Sequence, residues 1–198
     1  DFYAYKSHRV IPCKACLLQP EDFADCLNVF TLWAEKAGIT VYNENTGKGL
    51  LRHIYLRKAF ATGEIMACAV INGSALPAQE TLIELLRSVD GVKSICVNYN
   101  TAYSNVILGD KTEVLWGSET VTDILLGKQF IISPNSFYQV NRAQCEKLYS
   151  RVADYAALTG LSYSTAQREL RIAANLDHSG VVATGSRTHR IYVLKGED

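Results

Sequence analysis

Apolar positions recur along this chain with two different spacings, and the changes between them mark out its elements. Residues 2–12 read as extended chain. In "QPEDFADCLNVFTLWAEKAG" apolar residues stand at positions 23, 27, 30, 34 and 37, with a proline near the start and Gly38 as a stop. That spacing predicts an amphipathic helix. "ITVYNE" and "LLRHIYLRKAF" alternate as strands, with the turn residues "TGKG" between them. After "ATG" the segment "EIMACAVING" completes an expected hairpin. "ALPAQETLIELLRSVDG" predicts a second helix, with Pro77 early and Leu82, Leu85, Leu86 and Val89 on one face. Three strand-like segments follow: "KSICVNYN", "SNVILGDKTEVLWG" and "TDILLGKQFIIS". This order predicts an α+β domain, a largely antiparallel sheet with flanking helices. A third helix is expected from about Asn141 to Leu158, where Asn141 and Gln144 have capping-box spacing and Gly160 ends the pattern. No internal repeat or low-complexity segment is seen.

Composition narrows the class. With 198 residues the chain can hold one sizeable core, or a domain and a small satellite. An apolar fraction of 48% and a charged fraction of 20% are those of an ordinary folded soluble protein. The net charge is zero, so any attraction to nucleic acid must come from local patches. No apolar run approaches the roughly 20 residues of a bilayer span, and no membrane partner is expected. "DFYAYKSHRV" reads as a strand rather than a signal peptide, and the start in mid-strand without Met points to an excerpt. Six cysteines in this composition argue against a disulfide scaffold and fit a cytoplasmic setting. Cys68 and Cys96 lie in apolar strand-like runs and are expected as buried thiols, while Cys26 and Cys145 fall within predicted helices. "CKAC", Cys13 to Cys16, has metal-like spacing, but zinc takes four ligands and no second pair accompanies it.

The segment "ISPNSFYQVN", Ile132 to Asn141, concentrates candidate chemistry. A proline turn, two aromatics, a glutamine and two asparagines precede a helix, whose free N–H groups and dipole favour ligands. Read alone, Phe137 and Tyr138 pack under a turn or meet a ligand, and Gln139 and Asn141 cap the helix or bind.

The stretches "FYAYKSHRVIPCKACLLQPEDF", "NENTGKGLLRHIYLRKAFATGEIMACAVING", "GVKSICVNYNTAYSNVILGDKTEVLWG" and "FIISPNSFYQVNRAQCEKLYSRVADYAALTG" supply a second kind of evidence. From about Phe2 to Gly160 the chain closely resembles the central part of the RNA (uracil-C5) methyltransferases, which act on 23S ribosomal or transfer RNA. The resemblance implies an oligonucleotide-binding barrel and 4Fe-4S cluster cysteines upstream, with a Rossmann-like S-adenosylmethionine domain downstream. In that family a cysteine thiolate attacks C6 of uracil, which makes C5 nucleophilic toward the methyl group. Carried over residue by residue, Cys16 falls on the last cluster cysteine, Gln139 on a contact to S-adenosylmethionine, and Phe137 on an aromatic near the RNA or the flipped base. Cys13 has no counterpart. The family's glycine-rich donor loop, its Asn-Pro-Pro segment and its catalytic cysteine are not found in these residues, so the chain is expected to bind neither cofactor and to methylate nothing alone. Arg52, His53, Arg57 and Lys58 on a predicted strand are candidate RNA contacts, although each taken singly reads first as a solvated charge on an exposed sheet face.

The last residues change character. "LSYSTAQRELRIAANLDHSGVVATGSRTHRIYVLKGED" resembles a winged helix-turn-helix. "VADYAALTG" would be its first helix, "STAQRELRIAANL" its second, capped by Ser164 with Gln167, and "GVVATGSRTHRIYVL" a wing turning at Gly185 and Ser186. Arg168, Arg171, Arg187, Arg190 and Lys195 outnumber Glu169 and Asp177 there, a pattern that suits phosphate. In such a module Ser164, Gln167, Arg168, Arg171 and Arg187 would meet duplex DNA, although many winged helices only join proteins. The expected organisation is a central domain over 1–140, a linking helix over 141–160 and the winged-helix-like segment over 161–198. Three functions compete: an RNA-binding methyltransferase portion, a DNA-binding regulator and a structural remnant without ligand.

Overall fold

The computed structural model describes residues 2–5, 10–11, 19–138, 141–162, 164–166, 168, 181–184 and 191–194. They fall into two compact units, Asp1–Tyr138 and Gln139–Asp198.

The first unit is α+β. A two-residue pair, β1 (Phe2–Tyr3) and β2 (Val10–Ile11), precedes α1 (Phe23–Ala37). A four-stranded sheet follows in the order β3 (Leu51–Lys58), β4 (Ile65–Ile71), β5 (Val92–Tyr99) and β6 (Lys111–Gly117). The outer pairings are antiparallel, whereas β4 and β5 run parallel, with Cys68 opposite Cys96. The cause is α2 (Gln79–Arg87), because a helical crossover returns the chain to the same end of the sheet before the next strand begins.

Both helices cover one face of the sheet. From α1 come Cys26, Phe30 and Trp33, and from α2 Leu82, Ile83 and Leu86, packed on Ile65, Ala67, Ala69, Ile71, Ile95 and Val97. The stripe on α1 is turned slightly from the expected one, leaving Leu27 at its edge, 37% exposed. Trp33 is the reason: its ring fills the space between the helices and its Nε1 donates to Ala78 O at 3.1 Å. The helix stops at Gly38, φ 62°, where Ile39 N reaches back to Ala34 O at 2.9 Å.

Two predicted strands are shorter than their alternation suggests. "ITVYNE" forms only the bridges Val41–Leu51 and Asn43–Lys48. Asn43 Oδ1 accepts from the amides of Asn45 and Thr46, so a side-chain turn competes with the ladder. In "SNVILGDKTEVLWG" only Lys111–Gly117 is strand, since buried Asn98 ties the preceding loop down. "TDILLGKQFIIS" is instead a complete hairpin, β7 (Val121–Leu125) with β8 (Lys128–Ile132). Its two-residue turn, Leu126 and Gly127, has φ of 49° and 71°, the primed geometry that matches strand twist. Val121 and Ile132 pack with Met66, Cys68 and Cys96 in a second apolar cluster.

The second unit holds α3 (Arg142–Thr159), whose N-cap Asn141 accepts from Gln144 N at 3.1 Å and whose C-cap Gly160 has φ 68°. Beyond it the cap of the next helical turn is Ser162 rather than Ser164. Ala166 N donates to Ser162 O at 2.9 Å, and Thr165 N lies 3.3 Å from Ser162 Oγ. Strands β9 (Val181–Thr184) and β10 (Ile191–Leu194) pair antiparallel, Thr184 opposite Ile191. No helix among the described residues is long and apolar enough to cross a membrane.

Candidate nucleic-acid interface

The loop after β8 is built from its own hydroxyls and from a distant arginine. Ser136 N donates to Ser133 O at 3.2 Å, closing a turn over Pro134 and Asn135. Ser136 Oγ accepts from Ser133 N at 3.0 Å and lies 2.7 Å from Ser133 Oγ. From β3, Arg57 Nη1 donates to Ser133 O at 2.6 Å and to Pro134 O at 3.1 Å. Burial draws the Arg57 pKa below the usual arginine value, and the guanidinium also sits 5.8 Å from the Tyr55 ring.

The far end of the loop is fixed by a buried carboxylate. Asp123 on β7 is fully buried, and its Oδ1 accepts from Ala61 N at 2.7 Å and Ile124 N at 2.8 Å. Its Oδ2 accepts from the Tyr138 hydroxyl at 2.7 Å. Burial alone would push this carboxyl up. The donors from Ala61, Tyr138, Ile124 and Phe60 overcome that and hold it below the usual carboxylate range. Tyr138 also packs on Phe130, with ring centroids 5.9 Å apart. Between these anchors Phe137 presents its ring outward, 71% exposed. A large apolar ring held in that position suits stacking on an unpaired base.

The other candidates are distributed differently. Arg57 joins the Phe137 loop as its clamp. Arg52 is drawn elsewhere: its Nη1 donates to Asn100 O at 2.8 Å, Asn100 Oδ1 at 3.1 Å and Ala102 O at 2.7 Å, and its Nη2 to Ser104 O at 3.1 Å. His53 is half-buried, and burial, then Arg52, hold its pKa below the ordinary value. Lys58 pairs with Asp22 ahead of α1. Ser164 and Arg168 are exposed. Cys16, Gln139, Gln167, Arg171 and Arg187 lie outside the described residues. Asp123 was not singled out from sequence, yet its signal was present: an acid between Val121 and Leu125, on the inward face of the hairpin.

Among the described residues no group of His, Cys, Asp and Glu could hold a metal ion. The described cysteines are buried free thiols, with Cys26 pushed up to about 11 chiefly by burial and Cys68 raised chiefly by its hydrogen bond with Cys96. Thiolate chemistry needs the opposite shift.

No family model matches the chain. An uncharacterised RNA methyltransferase of Caldanaerobacter subterraneus subsp. tengcongensis is 43% identical over 160 residues, 80% of this chain and 35% of the relative. One from Clostridium tetani is 41% identical over the same shares. Among solved structures, the Pyrococcus abyssi tRNA (uracil-54, C5)-methyltransferase in complex with S-adenosyl-L-homocysteine is similar with a TM-score of 0.63 at 25% identity, covering 74% of this chain and 36% of that one. The chain thus spans about a third of the length of the curated relatives it matches. These likenesses support a partial region of the RNA uracil-C5 methyltransferase family for this chain.

Proposed function

We propose that this chain is the RNA-binding portion of an S-adenosylmethionine-dependent (uracil-C5) methyltransferase acting on 23S ribosomal or transfer RNA in the cytoplasm, with the methyl-transfer chemistry supplied by parts outside these 198 residues. The observation that carries it is the Phe137 loop, an exposed ring held between the Arg57 clamp and the Asp123–Tyr138 anchor. Phe137 is the RNA contact, and Arg57 is a positioning residue that acts through the loop. His53, kept neutral by burial and by Arg52, serves as a hydrogen-bonding rather than a cationic contact.

S-adenosylmethionine would supply the methyl group, and in this reading Gln139, next to the fixed Tyr138, is its contact on this chain. In the same reading Cys16 is a 4Fe-4S cluster ligand of the parent enzyme, as the family resemblance implies. The tail is assigned to a winged-helix-like segment, supported by the β9–β10 hairpin and the Ser162-capped turn that carries Arg168.

The test is a titration of the 198-residue chain against labelled single-stranded RNA, an RNA hairpin and duplex DNA at several salt concentrations. Binding to RNA should fall with salt, and Phe137→Ala should weaken it about tenfold. Preference for duplex DNA that Arg168→Ala abolishes would hand the function to the tail and overturn the proposal.

A further inference from the structure

A second loop of the same unit is fixed as firmly and belongs to no site described so far. Asn98, fully buried on β5, donates to Gly109 O at 2.9 Å, Lys111 O at 3.2 Å and Thr112 Oγ1 at 2.8 Å, and accepts from Gly109 N at 2.7 Å. Asn100 Nδ2 donates to Val106 O at 2.7 Å and Ile107 O at 3.0 Å. Arg52 gathers the carbonyls of residues 100, 102 and 104. Gly109 is required here, since a Cβ would lie 2.0 Å from Tyr99 O. With its backbone held from inside, the loop turns Tyr103, Val106 and Ile107 outward, 79%, 61% and 48% exposed.

Tyr103 is exposed yet anchored. Its hydroxyl donates to Glu44 O at 3.2 Å, and its ring lies over Gly47, where a Cβ would meet it at 3.9 Å. The loop and the 44–47 turn thereby enclose a cleft of about 240 Å³, lined by Tyr42, Glu44, Asn45, Arg52, Tyr103 and Asn105 among others. That is smaller than the roughly 300–1,000 Å³ of sites for drug-sized ligands, and suits a fragment such as a single base. The exposed side-chain amides of Asn45 and Asn105 offer donors and acceptors together, as the edge of a base requires. A phosphate suits the cleft less well. The Arg52 fork is turned onto carbonyls and onto the Tyr42 ring, 4.5 Å away, and Glu44 is an anion at the rim.

We infer that this cleft holds one unpaired nucleobase of the RNA, stacked on Tyr103 and read along its edge by Asn45 and Asn105. The inference rests on the RNA-binding reading above and gives it a second, separate point of contact.

The test uses the 198-residue chain with labelled oligouridylate, oligoadenylate and a base-free sugar–phosphate oligomer of the same length, and compares Tyr103→Ala, Tyr103→Phe, Asn105→Ala and Phe137→Ala. Tyr103→Ala should weaken binding of the base-bearing oligomers about tenfold and leave the base-free one unchanged. Tyr103→Phe keeps the ring and should lose only two- to threefold, roughly the share of one anchoring hydrogen bond. Asn105→Ala should change the ratio between the two homopolymers. Unchanged unfolding midpoints would confirm that each variant folds. If Phe137→Ala weakens RNA binding while Tyr103→Ala and Asn105→Ala do not, the cleft is overturned and the proposed function stands. If the parent chain binds no RNA, both are overturned.

Discussion

Two loops of the first unit, 100–110 and 133–138, are each gripped from beneath by an arginine of β3 and each hold out one aromatic ring. Arg52 serves the first, which presents Tyr103, and Arg57 the second, which presents Phe137. What completes the grip differs. The first loop is laced by the neutral amides of Asn98 and Asn100, and the second ends on the ionised Asp123. A buried amide satisfies donors and acceptors at once and carries no charge. A buried carboxylate only accepts, so it suits a place where backbone N–H groups and a hydroxyl converge. Of these two groups only the carboxylate titrates, so the pH signature should lie with the second loop.

The largest effect is expected from exchanging one chemistry for the other. Asn98→Asp sets a carboxylate against the carbonyl oxygens of Gly109 and Lys111, buried inside the sheet. It should cost about 4 kcal/mol, the scale of an uncompensated buried charge. Urea unfolding at neutral pH measures it. A loss below about 1 kcal/mol would mean that the Asn98 amide is not what holds the loop.

The reciprocal exchange should be gentler and carry a pH signature. In Asp123→Asn the amide oxygen still accepts from Ala61 and Ile124, and the Tyr138 hydroxyl can turn to accept instead of donate. The expected loss is about 1–2 kcal/mol at neutral pH. The folded carboxyl titrates below its unfolded value of about 3.9, so Asp123 contributes stability that is fully present above that value. That stability is lost as pH falls through the lower, folded value. Unfolding curves of the parent and of Asp123→Asn should therefore converge on acidification below about pH 4, which is where to measure them.

The same contrast explains what the sequence made legible. Helices α1, α2 and α3 and the β3–β4 hairpin follow from neighbours a few residues apart, because helical spacing, alternation and Gly38 and Gly160 are local signals. The clamps are not local. Arg52 and Asn100 are 48 residues apart, and Arg57 and Ser133 are 76, so both arginines looked like surface charges on an alternating strand. The parallel pairing of β4 with β5 was hidden likewise, since either direction buries the same apolar strands. Phe137 stood out by its family resemblance; the cleft at Tyr103 needed two distant turns brought together.

The smallest effect on stability should come from Phe137→Ala, and there the comparison of the loops becomes functional. The ring is 71% exposed, and Ser133, Ser136, Arg57, Asp123 and Tyr138 hold the loop. Removing it should move the unfolding free energy by less than about 0.5 kcal/mol, as for other surface substitutions. A loss of 2 kcal/mol or more would instead mark the ring as part of the packing under the turn. A folded protein that leaves an aromatic side chain exposed, on a loop fixed at both ends, forgoes burial of its apolar surface at that position. If Phe137 is the RNA contact proposed above, near-zero stability loss with weakened RNA binding is its expected sign.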